Sequence, residues 1–522
     1  MLPTLIDRHE LYSCLQDDLQ TLRGISAFRG KRKIAFNYSV ERQLSDINRK
    51  QDDGMVSEKL QDLSIAKFFA NQERLSRLDF DPSIISSIRC ELNMILPNVS
   101  DVEEEIFSRC CFGPGSVFQA KGPRDKSIQY KIGKAQTCAG NTRQLLFDAL
   151  SRFPNWVSKV DCKVTYIPGN RAAFVPKDIV KCRQIAVEPS LNVFIQKGIG
   201  SFLTHILRQI GIDLSNQEKH RLAVRRSWKT IGTIDLSDAS DSISVALMKA
   251  VLPSDWYELL DAARSKYTLI RGEWVKPHSF SSQGNAFTFP LETLIFYVAC
   301  KAVCRNSELA RDPTYLSVYG DDILADKESC TVINREFPKL GFVVNTEKSF
   351  WGQHEGLPKY FRESCGEDTL FGISVRPVYY KQDATHPSMV MALANRLYEK
   401  WGRLPRTHRY LSSIILLNPR FKYLLGPRVY WNKDDTCFTR NTVVTSYSEW
   451  FWFETVGETP PRCPDSGIRT LYWSNKPKSL PSSQLLAYEV RLLAFLFNQG
   501  GDPDNMPVMT RKLLRRTIFY SS

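Results

Sequence analysis

The decapeptide Leu316-Ser-Val-Tyr-Gly-Asp-Asp-Ile-Leu-Ala325 constrains the fold more than any other part of the 522-residue sequence. Apolar, β-prone residues flank Gly320-Asp321-Asp322 on both sides. This pattern predicts two short strands around a tight turn, with the glycine supplying the positive φ and the two acids at the tip. Adjacent carboxylates repel, so a chain that builds such a tip needs a cation there to neutralise it. A second acidic segment, Ile234-Asp-Leu-Ser-Asp-Ala-Ser-Asp-Ser242, follows the β-branched run from Thr230, so Asp235 falls where a strand ends. Asp235, Asp321 and Asp322 together offer three carboxylates to hard cations. A two-metal phosphoryl-transfer site needs such a set, and Mg²⁺ is typically held by a few carboxylates plus substrate phosphates. The spacing of an EF-hand calcium loop is absent.

The rest of the chain reads as mixed α and β without βαβ alternation, which argues against a doubly wound sheet. Val56–Leu78 has helical spacing, and Asp81-Pro-Ser83 restarts a helix through Leu96. Phe112-Gly-Pro-Gly-Ser116 breaks the pattern, and the next fifty residues look loop-rich. Ser190–Ile212 and the apolar Pro290–Cys304 are predicted helices, as are Ser482–Asn498 and the basic Thr510–Arg516. At about 150 residues per domain, the length suggests three or four folding units. The formal charge of +14 favours a polyanionic partner. No apolar run is long enough to span a membrane, and the first ten residues turn polar too early for a signal peptide. Thirteen scattered cysteines without a CxxC pair read as reduced thiols.

Several further segments stand in a definite order. Phe174-Val-Pro-Lys177, with Lys181, Arg183 and Ile185-Ala-Val-Glu-Pro189, precedes the first acidic segment. Ser281-Ser-Gln-Gly-Asn285 leads into the apolar helix, and Gly341-Phe-Val-Val-Asn-Thr-Glu-Lys348 and Phe361-Arg-Glu-Ser-Cys-Gly366 follow the Asp-Asp turn. In this order they resemble motifs F, A, B, C, D and the segment after D of RNA-dependent RNA polymerases. Several of the strings are similar to the replicase catalytic (beta) subunit of the single-stranded RNA bacteriophages, the levivirus group. The resemblance is dense from about 110 to 385.

The resemblance implies an α+β right-hand polymerase fold of fingers, palm and thumb, with an antiparallel palm sheet carrying the aspartates. Residues 1–230 would form the N-terminal region and fingers, with motif F at about 174–189. Residues 231–245 would be palm, 246–281 a fingers insertion, 282–385 palm, and 386–522 the thumb and C-terminal region. The implied activity is RNA-directed RNA polymerisation from ribonucleoside triphosphates on a single-stranded RNA phage genome, with primer-independent initiation. Asp235, Asp321 and Asp322 would hold two Mg²⁺ ions, or Mn²⁺ in their place. Lys177, Lys181 and Arg183 would grip the triphosphate, and Lys348 would protonate departing pyrophosphate. Asp241 and Asn285 would read the ribose, Gly284 would allow close backbone approach, and Ser282 would place the loop.

Implied partners are host elongation factors Tu and Ts and a ribosomal small-subunit protein, in the cytoplasm of the bacterial host, with no membrane involved. Three positions depart from the pattern: Asp238 adds an acid in motif A, and Gln283 and Ala286 alter motif B. Basic stretches at Lys219–Lys229, Arg29–Lys33 and Arg511–Arg516 suit RNA phosphates, and the aromatics Tyr447 and Trp450–Phe453 suit base stacking or a core. Two rival readings are a reverse transcriptase, which would prefer deoxyribonucleotides, and a non-catalytic RNA-binding protein, which would have no need of the carboxylate trio.

Overall fold

A computed structural model describes residues 5–417, apart from 26, 48–55, 114, 121–130, 132–135, 154–163, 179–180, 381–383, 385–386 and 403, together with short strands between 425 and 452. The helices expected at Ser482–Asn498 and Thr510–Arg516 lie outside the described residues, as do the side chains of the aromatic cluster from Tyr447 to Phe453. The chain divides into two compact units, residues 1–53 with 377–522, and residues 54–376.

In the first unit, helices Arg8–Ile25 and Gly30–Asp46 share a core with Pro387–Trp401 and Pro405–Leu416. Leu11, Leu15 and Leu19 recur at helical spacing and form one apolar stripe against Leu393, Leu397 and Leu411. Gln43 is fully buried, and its amide bonds both backbone groups of Val378 at 2.8 Å. Its Oε1 also accepts from the Trp401 indole at 3.0 Å. One polar side chain thus ties the beginning of the chain to a segment more than 300 residues away.

The second unit opens with helix α1, Glu58–Ser76, whose N-cap Ser57 accepts from the Leu60 amide. Helix α2, Pro82–Ile95, follows with Asp81 as its cap and proline in the first turn, so the expected restart occurs where the sequence places it. Part of the stretch expected to be loop-rich carries regular structure, a strand at Gln136–Ala139 and a helix at Arg143–Leu150. Next come strands β1, Asn170–Asp178, and β2, Lys181–Val187, an antiparallel hairpin with an irregular register near Pro176. Helices α3, Ser190–Gln209, and α4, Glu218–Arg226, lead to strand β3, Ile231–Ile234. A short helix α5, Ala239–Ser242, follows, and then strands β4, Thr268–Ile270, and β5, Glu273–Val275. These two extend the first hairpin into a four-stranded sheet of order β2-β1-β4-β5.

Helix α6, Thr288–Arg305, is the predicted apolar helix, extended by two residues at its start. Strands β6, Leu316–Tyr319, and β7, Asp322–Asp326, form the predicted hairpin with Tyr319 opposite Asp322. Strand β3 pairs antiparallel with β7, giving a three-stranded sheet of order β3-β7-β6. Strands β8, Phe361–Ser364, and β9, Glu367–Leu370, form the last hairpin of this unit. The core behind the three-stranded sheet contains Ile234, Val318 and Ile323, together with Leu294, Ile295 and Val298 of α6. Burying such aliphatic side chains supplies about 1.5–3 kcal/mol each.

His220 of α4 fixes the rear of this arrangement. It is 2% exposed, and its two ring nitrogens lie 3.0 Å from Ser317 Oγ on β6 and 2.9 Å from Ser364 Oγ on β8. Burial pushes the imidazole down to about 4, so it stays neutral in the folded protein where a free histidine would gain a proton. The unfolded chain binds that proton near pH 6.5, so stability present above 6.5 is lost as pH falls toward 4, by up to about 3 kcal/mol. Urea midpoints between pH 7 and 4.5 should therefore fall more steeply for the wild type than for His220→Gln, and parallel slopes would refute the assignment.

Candidate active site

Strand β3 ends at Ile234, and Asp235 emerges beside the segment after residue 343. The backbone carbonyl of Asp235 accepts from the Asn345 amide at 2.9 Å, and its own N–H donates to Ser349 Oγ at 3.0 Å. Its carboxylate accepts from Asn345 Nδ2 at 3.0 Å, with the Lys348 ammonium 4.0 Å away. Burial raises the Asp235 pKa, with the charge of Asp321 adding to the rise, while Lys348 and Lys177 oppose it. Lys348 therefore stands beside the Asp235 carboxylate. Asn345 and Ser349 are bracing residues that the sequence reading did not single out, since their role depends on a pairing more than 100 residues distant.

Asp321 and Asp322 lie at the turn between β6 and β7. Gly320 takes φ +61°, and its N–H donates to Thr293 Oγ1 of α6 at 3.0 Å. A Cβ there would lie 2.4 Å from the Phe289 ring, so the turn needs glycine for both conformation and space. Asp321 is exposed, whereas Asp322 turns inward and accepts from the Cys365 amide of the β8–β9 hairpin at 3.0 Å. Burial and the neighbouring Asp321 push Asp322 up to about 7. Glu292, one turn into α6, is 8% exposed and forced up to about 9 by burial, with Asp321 and Asp241 adding to the effect. No sequence motif marked Glu292. The signal was a lone acid within the apolar run Phe289-Pro-Leu-Glu-Thr-Leu-Ile295.

The basic groups arrive from the β1–β2 hairpin. Lys177 lies within electrostatic reach of Arg183, Lys348, Asp235 and Asp238, and burial, followed by the neighbouring cations, lowers its pKa. Lys177 and Lys348 are thus brought together at the Asp235 carboxylate, with Arg183 beside Lys177 and within electrostatic reach of Asp241. Lys181 opens β2 opposite Asp178 at the end of the hairpin and is not drawn into this group.

Asp238 is drawn to a cation of α1 while remaining within electrostatic reach of Asp241 and Lys177. It takes the left-handed conformation at φ +49°, which aspartate tolerates better than most residues, and pairs with Lys67 of α1 at 2.7 Å. Asp241 lines a recess together with Asn170, Gln184, Ser282 and Asn285. Asp241 is pushed up to about 7, first by burial of its carboxyl and then by Asp238. The Asn285 side chain is partly committed, since its Oδ1 accepts from the Phe287 amide at 3.0 Å at the start of α6. The Ser282 carbonyl accepts from Thr288 Oγ1 at 3.0 Å and holds the loop closed. Gly284 takes φ +119° with its Cα against the Ala186 carbonyl, and the Gln283 carbonyl accepts from the Ala186 N–H at 2.6 Å. The loop before α6 is therefore joined to β2 by backbone. Behind it, fully buried Glu188 accepts from Ser265, Asn170 and Gln196, while Gln196 Oε1 accepts from the Ala286 amide at 3.3 Å.

The donor set suits a divalent cation. Asp235 and Asp322 are both held above the ordinary carboxylate range in part by Asp321, and a hard cation among them would relieve that repulsion. Among the described residues no three acid, histidine or cysteine side chains already stand as a converged ligand set. Asp235 is engaged by Asn345 and Lys348, and Asp322 by Cys365, so the oxygens would have to exchange these partners for a metal. Among the same residues no helix is long and apolar enough to cross a membrane, and ten cysteines are free.

The sequence profile of the family described as "RNA replicase, beta-chain" matches residues 62–419. The chain is 33% identical over 347 residues to the RNA-directed RNA polymerase subunit beta of Escherichia virus Qbeta, an alignment covering 65% of this chain and 56% of that protein. It is 32% identical over 333 residues to the RNA-directed RNA polymerase beta chain of Escherichia phage MS2, covering 62% and 58%. The corresponding chain of Enterobacteria phage fr is 30% identical over 389 residues, covering 70% and 68%. The match thus spans somewhat more than half the length of the first two relatives. Among solved structures, the RNA-dependent RNA polymerase of a human picobirnavirus is similar at a TM-score of 0.48 and 12% identity, over 78% of this chain and 82% of that one. The matched profile runs through both carboxylate segments, both basic segments and the loop that joins them, and on that extent the chain belongs to the RNA replicase beta-chain family.

Proposed function

We propose that this chain is a template-directed RNA polymerase that copies single-stranded phage RNA from ribonucleoside triphosphates inside the infected bacterium. The observation that carries the reading is the meeting of Asp235 and the Asp321-Asp322 turn with Lys177 and Lys348, with Arg183 beside Lys177. Asp235, Asp321 and Asp322 are the residues that would hold two Mg²⁺. When bound, those ions would activate the attacking hydroxyl and neutralise charge on the leaving pyrophosphate. Lys177 and Arg183 supply fixed positive charge for the triphosphate, which needs no reorganisation as charge develops. In this reading Lys348 would give a proton to the leaving group. Asp241, with Asn285 and Ser282 on the wall of the same recess, would read the sugar. In this reading the three-stranded sheet is the palm and the β1–β2 hairpin belongs to the fingers. The first unit, containing residues 377–522, includes the thumb. Elongation factors Tu and Ts and a ribosomal small-subunit protein are proposed as partners, and initiation is proposed to need no primer.

The test is incorporation of labelled ribonucleotides on a single-stranded RNA template by the full chain, with bacterial elongation factors present. EDTA should abolish incorporation, and excess Mg²⁺ should restore it. Preference for deoxyribonucleotides would favour a reverse transcriptase instead. RNA binding without metal-dependent synthesis, across varied templates and host factors, would leave only an RNA-binding protein.

A further inference from the structure

The string Phe361-Arg-Glu-Ser-Cys-Gly366 ends in a turn that has no part in the chemistry above. Ser364 of β8 pairs with Glu367 of β9, so the hairpin closes through Cys365 and Gly366 alone. Both take positive φ, +48° and +76°. A two-residue hairpin loop of this kind favours Asn-Gly, and a cysteine in the left-handed region is strained. Cys365 is also buried, at 6% exposed. This strained residue is the one that meets the acidic turn. Its N–H donates to Asp322 Oδ2 at 3.0 Å, with its thiol close to the same carboxyl.

One helix holds the turn in this conformation. Arg221 Nε of α4 donates to the Cys365 carbonyl at 3.0 Å, Arg225 pairs with Glu367 at 2.7 Å, and the His220 ring lies 2.9 Å from Ser364 Oγ. The other ring nitrogen of His220 reaches Ser317 on β6, the strand that leads into Asp321 and Asp322. Helix α4 thus fixes both hairpins, and the bond from Cys365 to Asp322 joins their tips. Backbone strain that neighbouring contacts maintain beside a reaction site points to a function for the strained residue. The bond also leaves space for a ligand. A carboxylate has about four lone-pair sites, so at Asp322 the exchange of partners for a metal can spare the Cys365 N–H.

We infer that the Cys365-Gly366 turn is a positioning element for Asp322, with Cys365 holding the carboxyl through its N–H in the orientation that receives a divalent cation, and Arg221 holding Cys365. The inference rests on the polymerase reading above, in which Asp322 is a metal ligand. Groups that bind a ligating carboxylate from behind set its direction before the ion arrives, and their loss weakens metal binding even though they never touch the metal. A left-handed turn suits the task because it turns the backbone N–H at the hairpin tip toward Asp322.

The test is Mn²⁺ binding to the full-length chain, read from the electron paramagnetic resonance signal of the free ion, with and without a nucleoside triphosphate. Valine is β-branched and does not hold φ +48°, so Cys365→Val withdraws the N–H and should raise the Mn²⁺ dissociation constant about tenfold or more. Glycine accepts the same φ and keeps the N–H, so Cys365→Gly should stay within about threefold of wild type. In an Asp322→Asn background, Cys365→Val should change the constant by less than about twofold, because the acid it positions is gone. A turn that serves the fold alone would lower the melting temperature of C365V and leave Mn²⁺ affinity unchanged, or would weaken binding equally in both backgrounds. Either result overturns the inference. If C365V does not fold, Arg221→Met, which removes only the bond to the Cys365 carbonyl, should weaken Mn²⁺ binding about threefold, and an unchanged constant there is equally decisive. A wild type that binds no Mn²⁺ in either condition overturns the metal assignment and the role of the turn with it. A wild type that binds Mn²⁺ but incorporates no ribonucleotide counts against the polymerase reading alone.

Discussion

Asp321→Asn should reduce Mg²⁺-dependent ribonucleotide incorporation by about a thousandfold or more, a loss of ~4 kcal/mol in transition-state stabilisation. Its melting temperature should not fall below that of the wild type. Asp321 is exposed, and among the described residues it makes no hydrogen bond or ion pair. Its charge raises the pKa of Asp235, Asp322 and Glu292. Removing that charge relieves repulsion in the folded state, so a functional charge is lost while stability holds or improves. The Asp322 carboxyl, pushed up to about 7 in the wild type, should titrate lower in the variant, since one cause of its elevation is gone. Steady-state incorporation and a melting curve decide the point. A variant as active as wild type would remove Asp321 from catalysis, and a variant that is inactive because it is unfolded would make it a structural residue.

Gly284→Ala should act in the opposite way, through the fold. At φ +119° an L-residue is strained by about 1–3 kcal/mol, and the added Cβ would stand 1.9 Å from the Ala186 carbonyl oxygen. Neither partner is a flexible side chain that can swing away, so the loop before α6 must leave β2 and break the bond between the Ala186 N–H and the Gln283 carbonyl. The expected result is a loss of roughly 3 kcal/mol of stability in the 54–376 unit, read as a lowered urea midpoint, together with a rise of about tenfold in nucleotide KM. A variant with the wild-type midpoint and KM would mean that the loop does not need its contact with β2.

The hairpin at 316–325 was legible because everything that makes it lies within ten residues, namely alternating apolar side chains, one glycine and a paired acid. Asp235 was legible for the same reason, as the residue after a β-branched run. Glu292 was not, because a single acid in an apolar helix carries no period, and its meaning comes from the Gly320 turn 28 residues later. Asp238 could be flagged as unusual from sequence, but its pairing with Lys67 depends on how α1 lies over the short helix α5. Lys181 and Lys177 look equivalent in a list of nearby basic residues. The hairpin register separates them, setting Lys181 opposite Asp178 at the hairpin's end while Lys177 reaches the carboxylates. The strand and helix at 136–150 were hidden by short length and by a flanking sequence rich in glycine and polar residues.

The shared core of residues 1–53 and the chain after 377 has a consequence for synthesis on the ribosome. At about 5–20 residues per second, the first two helices wait on the order of 15 to 65 s before the segment that covers Leu11, Leu15 and Leu19 has even been translated. During that interval the intervening 54–376 region has all of its own residues available and can fold first, leaving a nascent amino-terminal stripe of leucines uncovered in a crowded cell. Vectorial translation therefore gives this protein an obligatory sticky period, and a chaperone that shields aliphatic helices would have its longest opportunity at the earliest-made part of the chain.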